Sequence, residues 1–114
     1  MSHGHDVQRV AAIDCGTNSI RLLIADIDPH RGHLVDLDRR MTIVRLGEGV
    51  DQTGRLSDAA LARTFAACEE YAQVIADAGA RRVRFVATSA SRDASNRDDF
   101  VEGVRARIGV APEV

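Results

Sequence analysis

The chain has 114 residues, of which 45% are hydrophobic and 28% are charged, and its formal net charge is −2. This composition is that of a globular domain, and it excludes a disordered chain and broad electrostatic capture of nucleic acid. All fifteen basic residues are arginine, which excludes a Walker lysine or a Schiff-base lysine in this sequence. Phosphate could therefore be bound only by arginine, backbone N–H groups or a metal.

The cysteines and the amino terminus indicate in which cellular compartment the protein is expected. Cys15 and Cys68 lie in unrelated contexts and do not form a disulfide framework. The apolar runs have the length of strands, and "MSHGHDVQR" lacks the apolar core of a signal peptide. We therefore expect a cytoplasmic protein with no membrane partner. His3 and His5 belong to a terminus that we expect to be frayed, so we expect no metal there.

The first third of the chain predicts three strands in a meander. "RVAAID" and "SIRLLIADID" are nearly continuous apolar runs, typical of strands buried on both faces. The intervening "CGTN" predicts a tight hairpin turn, with Gly16 at positive φ and Asn18 tolerating it. After the turn cluster "DPHRGH", the segment "LVDLDRRMTIVRL" predicts an outer strand with one wetter face, interrupted by Arg39. Its apolar side chains are expected on the other face: Val35, Leu37, Met41 and Ile43.

The middle of the chain predicts a loop and then a long helix. "GEGVDQTGRL" has three glycines and no apolar periodicity, which indicates a loop. Ser57 is expected to cap the helix and Gly79 to end it. Apolar residues at spacings of three and four define the buried stripe, which includes Cys68 in a core role. The other members of this stripe are Leu61, Phe65, Ala72 and Ile75.

The last third predicts a strand, a polar loop and a second helix. "RRVRFVA" reads as a fourth strand, "TSASRDASN" as the loop, and Asn96 as the cap of a helix that Gly109 ends. "VAPEV" reads as the start of another strand. We therefore expect an α/β layer architecture that begins with antiparallel hairpins and continues with a right-handed crossover. The inner face of the second helix is expected to comprise Phe100, Val104 and Ile108.

The spacing of Cys15 and Arg21 is that of cysteine-dependent phosphatases, but three features argue against this chemistry. A catalytic thiolate needs a helix N-terminus or positive charge beside it. The sequence after Arg21 predicts a strand, and the negative charge of Asp14 would raise the pKa of the thiol. A hairpin turn also directs no helix dipole at the cysteine.

Asp14 offers a second interpretation. It follows a buried strand, where a carboxylate needs a metal or hydrogen-bond donors. The turn after it supplies backbone N–H groups and the hydroxyls of Thr17 and Ser19, which suit phosphate oxygens. Asp14 could then bind Mg²⁺ or a metal-bound water. Alternatively, it only hydrogen-bonds its own turn.

Three segments, "AAIDCGTNSIRLLIAD", "RLGEGVDQTGRLS" and "FVATSASRDASN", occur in this order and spacing. Together they resemble the amino-terminal part of the exopolyphosphatase / guanosine pentaphosphate phosphohydrolase family, within the actin-like, ribonuclease-H-like superfamily. The resemblance implies an α/β half-domain whose mixed sheet begins with a three-stranded antiparallel meander, carries packed helices and is truncated at the fifth strand. Residues 1–114 would form the incomplete amino-terminal part of the first actin-like domain.

The resemblance also implies Mg²⁺-dependent removal of terminal phosphate from inorganic polyphosphate or guanosine pentaphosphate. Asp14 matches the acidic residue of the first loop, with a catalytic and metal-binding role. Arg92 resembles the arginine that contacts phosphate, although a loop arginine is also compatible with a solvated charge. Arg21 could contact phosphate or pair with a neighbouring acid, and Gly47 and Gly49 would shape the rim of the cleft. The phosphate-binding turn would comprise Cys15, Gly16, Thr17, Asn18 and Ser19.

The family's glutamate general base, second glycine-rich loop and second domain would lie beyond residue 114. We therefore expect residues 1–114 to be inactive alone, and the full-length parent to be a homodimer with no nucleic-acid partner. The alternative function is a non-catalytic phosphate-binding or regulatory module of the actin-like superfamily. A sugar kinase of that superfamily is a weaker option, because "TSASRDASN" is not its pattern.

Overall fold

The computed structural model describes residues 7–88 and 91–113, which form a mixed four-stranded sheet and three helices. The sheet order is β3-β2-β1-β4. β1 and β2 are antiparallel, as are β2 and β3, whereas β4 is parallel to β1. The predicted meander and the parallel connection are both present. The strands are β1 (Gln8–Cys15), β2 (Ser19–Asp28), β3 (His33–Ile43) and β4 (Arg82–Ala87), and the helices are α1 (Val50–Thr53), α2 (Asp58–Ala78) and α3 (Arg97–Ile108).

The two faces of the sheet differ in what covers them. Because side chains alternate along a strand, the odd-numbered residues of β1 share a face with the even-numbered residues at the start of β2. This helix face packs against α2 and α3, as shown by the edge-to-face contact of Phe85 with Phe100 at 6.3 Å. The Tyr71 hydroxyl of α2 also donates to the backbone oxygen of Ile20, at 3.1 Å. The opposite face, which we call the open face, carries Asp14 and Arg21, and both are exposed.

β3 is the outer strand that the sequence predicts, but its apolar residues do not share one face. A register shift opposite Ile24 and Ala25 leaves Leu37 without a paired residue in β2. Val35 therefore lies on the helix face, whereas Met41 and Ile43 lie on the open face. All four predicted residues, Val35, Leu37, Met41 and Ile43, are between 45% and 56% exposed. The period-two prediction was wrong because one bulge reverses the alternation.

The loop predicted for "GEGVDQTGRL" contains α1, a single helical turn. Gly49 precedes it with φ 78° and Gly54 follows it with φ 71°, so a left-handed residue at each end limits the helix to four residues. The sequence prediction missed this turn because so short a helix has no apolar period to detect.

The ends of the two longer helices agree with the prediction. The Ser57 hydroxyl accepts from the N–H of Ala60 at 3.1 Å, and Gly79 ends α2 with φ 72°. Gly109 ends α3 with φ 93°. Cys68 is fully buried in the core, and Glu113 forms a parallel bridge with Val86 where the fifth strand was expected. Across the described ranges, no helix has the length and apolar character that crossing a membrane requires.

Candidate functional site

The hairpin turn between β1 and β2 lies at the carboxyl end of β1. The N–H of Gly16 donates to the backbone oxygen of Ser19 at 2.9 Å and closes the turn. The φ of Gly16 is not positive, so that sequence prediction was wrong. A Cβ at this position would lie 3.6 Å from the nearest atom, the oxygen of Ser19, which is an ordinary contact. Neither φ nor space among the described residues requires glycine here.

The carbonyl groups of the turn are bonded to residues 44–47, which we call the strap. The N–H groups of Val44 and Arg45 both donate to the oxygen of Asn18, at 3.0 and 2.9 Å. The N–H of Gly47 donates to the oxygen of Thr17 at 2.9 Å. The C=O and N–H of a trans peptide unit point in opposite directions. The N–H groups of Asn18 and Ser19 therefore point away from the strap.

This orientation gives the turn a surface of hydrogen-bond donors. Asn18 is exposed, and within residues 7–88 and 91–113 its N–H has no acceptor. Ser19 follows Asn18 in the sequence. Its side chain lies on the open face of the sheet, as does that of Asp14. Consecutive backbone N–H groups that point in one direction form a concavity for anions. The local geometry therefore suits phosphate oxygens.

Asp14 and Arg21 are brought together at the rim of this turn. They are directly opposite each other in the pairing of β1 with β2, and both side chains are exposed on the open face. Within the described part of the chain, neither side chain has a hydrogen bond or ion pair. A groove of about 530 Å³ runs beside them and is also lined by Arg39 and Met41. Arg39 is already bonded to Asp36, with 2.7 Å from Nε to Oδ2.

Arg92 lies in the loop that follows β4, at the same end of the sheet as the turn. The loop begins beside the turn because the N–H of Thr88 donates to the oxygen of Cys15 at 3.0 Å. The side chain of Arg92 is exposed and has no contact with Asp14 among the described residues. Ser89 and Ala90, which belong to the same predicted motif, lie outside the described residues.

Cys15 is placed differently from the other turn residues. It is the last residue of β1, its side chain is fully buried on the helix face, and its thiol donates a weak hydrogen bond to the oxygen of Gly16 at 3.9 Å. Burial raises the pKa of the thiol to about 12, with smaller contributions from Cys68 and the carboxylate of Asp14. A contact between this side chain and phosphate is excluded by its burial. Among the predicted turn residues, Cys15 is therefore the one whose side chain is buried in the core.

Among the described residues, Asp14 is the metal ligand that the sequence predicts at this site. No group of three or more His, Cys, Asp or Glu that could hold a metal occurs in residues 7–88 and 91–113. The exposed carboxylate of Asp14 fits a site in which water and phosphate oxygens supply the other ligands, which is the arrangement Mg²⁺ prefers.

The sequence prediction gave neither Arg63 nor Asn96 a role in supporting the site. Arg63 of α2 bonds to the strap, with 2.8 Å from its Nε to the oxygen of Val44. Asn96 bonds to both backbone groups of Leu56 at 2.8 Å and makes no side-chain bond at the start of α3. Asn96 therefore occupies the predicted cap position without the expected capping bond. Neither contact has a local sequence signal, because the partners are 19 and 40 residues away.

Known proteins are similar to this chain along most of its length. The model of the Ppx/GppA phosphatase family matches residues 23–114. Exopolyphosphatase 2 of Mycobacterium tuberculosis is 55% identical over 105 residues, which are 90% of this chain and 33% of that protein. Exopolyphosphatase 1 of Mycobacterium bovis is 31% identical over 103 residues, which are 90% of this chain and 29% of that protein.

Solved structures give the same result. The crystal structure of an exopolyphosphatase-like protein has a TM-score of 0.89 and 46% identity, over 96% of this chain and 33% of that one. The Aquifex aeolicus member of the Ppx/GppA family has a TM-score of 0.87 and 39% identity, over 95% of this chain and 35% of that one. This chain therefore spans about a third of the length of these relatives. The similarity confirms the predicted α/β fold of the actin-like class.

Proposed function

Because this chain belongs to the Ppx/GppA phosphatase family, we propose that it supplies the first phosphate-binding half-site of a phosphohydrolase that acts on inorganic polyphosphate or guanosine pentaphosphate. One observation carries the proposal. The strap occupies the carbonyl groups of the turn, so the N–H groups of Asn18 and Ser19 point away from the strap, in the direction from which phosphate would bind. The activity is proposed for a complete polypeptide of the relatives' length, of which residues 1–114 span about a third.

The roles of the side chains follow from charge and position. Gly16, Thr17, Asn18 and Ser19 would bind phosphate oxygens through backbone N–H groups and hydroxyls. Asp14 would bind Mg²⁺, which when bound offsets negative charge on the phosphates. Arg92, exposed at the same end of the sheet, would bind phosphate oxygens through its guanidinium.

Arg21 is a further candidate for phosphate contact. It lies opposite Asp14 on the open face, and its guanidinium has no acidic partner among the described residues. A cation beside a carboxylate that binds Mg²⁺ can contact the same phosphate from another direction. We further propose a cytoplasmic location and a homodimeric complete polypeptide, as the sequence predicts.

The test measures phosphate release by the complete polypeptide from polyphosphate and from guanosine pentaphosphate, at several Mg²⁺ concentrations. Asp14→Asn should raise the Mg²⁺ requirement and lower kcat, and Arg92→Ala should raise KM. Loss of a desolvated charged contact costs about 2–5 kcal/mol. Arg92→Lys should restore part of the loss, because an ammonium cannot form the two parallel bonds of a guanidinium.

Matched controls are available in exposed residues outside the turn and the strap. Asp77→Asn changes a carboxylate near the end of α2, and Arg97→Ala removes an exposed arginine from the start of α3. Both should leave kcat and KM unchanged. If Arg92→Ala behaves like Arg97→Ala, the Arg92 assignment is wrong. Phosphate binding without turnover by the complete polypeptide would favour the non-catalytic binding module.

A further inference from the structure

We propose that Arg63 is a positioning residue for the phosphate-binding turn, and that it acts through the strap without touching phosphate. The inference rests on the proposed function, because it assumes that the turn of residues 16–19 binds phosphate. Its structural basis is the set of contacts that link α2 to the turn.

Arg63 holds the strap at several points. Its Nε donates to the oxygen of Val44 at 2.8 Å, and its Nη2 lies 3.5 Å from the oxygen of Arg45 and 3.2 Å from Oε1 of Glu48. The side chain is 38% exposed, so water screens part of its charge. The strap in turn donates three hydrogen bonds to the oxygens of Thr17 and Asn18. Arg63 thus connects a 21-residue helix to the turn through one intervening segment.

These bonds form a continuous series of peptide units. The oxygen of Val44 accepts from Arg63, and the N–H of Arg45, in the same peptide unit, donates to the oxygen of Asn18. The C=O of Asn18 and the N–H of Ser19 belong to one peptide unit, so this N–H points away from the strap. Hydrogen bonds in such a series polarise one another in the same direction. The cation therefore both fixes the turn and strengthens the Ser19 N–H as a donor.

The strap needs external support because it contains a strained residue. Arg45 has φ 51°, which is positive and uncommon for a residue with a side chain. Such a conformation persists only where surrounding contacts hold it. Here the N–H of Glu48 donates to the oxygen of Arg45 at 3.1 Å, and the N–H of Arg45 is bonded to the turn. Arg63 adds contacts on both sides of this residue.

The chain offers a closely matched control in Arg107. Its Nε bonds to Glu69 at 3.0 Å, and its Nη1 donates to the oxygen of Gly103 at 3.0 Å. Its side chain is 31% exposed. Arg107 therefore has partners of the same kind as Arg63, a glutamate and a backbone oxygen, but between α2 and α3. It differs in also lying over the ring of Phe65, with 4.3 Å from Cζ to the ring centroid. Arg107→Gln removes an arginine of the same kind without changing the strap.

The experiment uses the chain of residues 1–114, with inorganic tripolyphosphate as the probe. Amide NMR shifts of Asn18 and Ser19 report binding, and hydrogen exchange of the Arg45 and Gly47 amides reports the state of the strap. Arg63→Gln should weaken the affinity about tenfold and speed exchange at both amides. Arg63→Lys should be intermediate, because it retains a cation but not the paired donors. Arg107→Gln should change neither quantity.

Each outcome has a defined meaning. If Arg63→Gln binds tripolyphosphate with the parent affinity, the inference is overturned, whatever the exchange rates are. If Arg63→Gln does not fold, as circular dichroism would show, Arg63→Lys carries the same comparison with Arg107→Gln. If the parent chain shows no shift at Asn18 and Ser19, the proposed function of the turn fails. The hydrogen-exchange rates of the Arg45 and Gly47 amides, compared between the parent and Arg63→Gln, then decide separately whether Arg63 holds the strap.

Discussion

The two buried thiols predict a specific loss of stability at alkaline pH. Cys15 and Cys68 are fully buried, and burial is the largest cause that raises each pKa, to about 12. In the unfolded chain both thiols should titrate near their ordinary pKa of about 8.5. Between these values the unfolded state loses protons that the native state keeps, so a rise in pH favours unfolding. The stabilisation is complete below about pH 8.5 and is lost as the pH rises toward 12.

The slope of this loss follows from linkage. Each thiol that ionises only in the unfolded state lowers the free energy of unfolding by about 1.4 kcal/mol per pH unit. Two such thiols give about 2.7 kcal/mol per pH unit across the window. Tyr71 also has a raised pKa, chiefly because it is buried, and its effect has the same sign. A measurement on the parent alone would therefore combine all three groups.

The assay compares the parent with the double variant Cys15→Ala, Cys68→Ala. Urea unfolding at pH 7.5, 9.5 and 10.5 gives the free energy of unfolding, with the difference between the two chains isolating the thiols. The double variant should be less stable at neutral pH because it leaves two small cavities, and its stability should fall less steeply above pH 9. Equal slopes would refute the burial argument. So would rapid labelling of Cys15 by a thiol reagent in the native chain at pH 8.

Two further predictions concern packing and activity. Gly103→Ala should destabilise the chain by about 1–3 kcal/mol in urea unfolding, because its Cβ would overlap the ring of Phe65. Since alanine normally favours a helix by about 1 kcal/mol over glycine, any gain in stability would show that Phe65 moves aside freely. Residues 1–114 alone should release no phosphate from polyphosphate or guanosine pentaphosphate with Mg²⁺, because the glutamate general base that the family resemblance implies is expected beyond residue 114. Turnover that Asp14→Asn abolishes would disprove this.

The strands and long helices could be predicted because their signals are local. The apolar run from Ser19 to Asp28 matches β2 at both ends, and Ser57 and Gly79 mark the ends of α2 through their own cap geometry. The bulge at Leu37 could not be predicted, because it depends on the fit of two strands rather than on composition. The single turn of α1 was missed for a similar reason, since its two flanking glycines read equally well as a loop.

The position of the hairpin turn could be predicted from the sequence, but the contacts that support it could not. Asp14 and the turn were singled out because a carboxylate and small polar residues lie between two apolar runs and resemble a family motif, and their phosphate-binding role stays a prediction. Cys15 was included with the turn because the sequence places it there, whereas the alternation of β1 directs its thiol into the core. Thr88 was overlooked because its bond to the oxygen of Cys15 spans 73 residues.

The support of the site has one further consequence for how phosphate would be bound. The segment from Val44 to Leu56 bonds to the turn through the strap, and it bonds to the Arg92 loop at its other end. There, the N–H of Ser95 donates to the oxygen of Gly54 at 2.8 Å, and Asn96 pairs with the backbone of Leu56. Both proposed phosphate-binding elements are therefore fixed to the same segment. Donors held in this way need little rearrangement when phosphate binds, and preorganised donors stabilise charge most effectively.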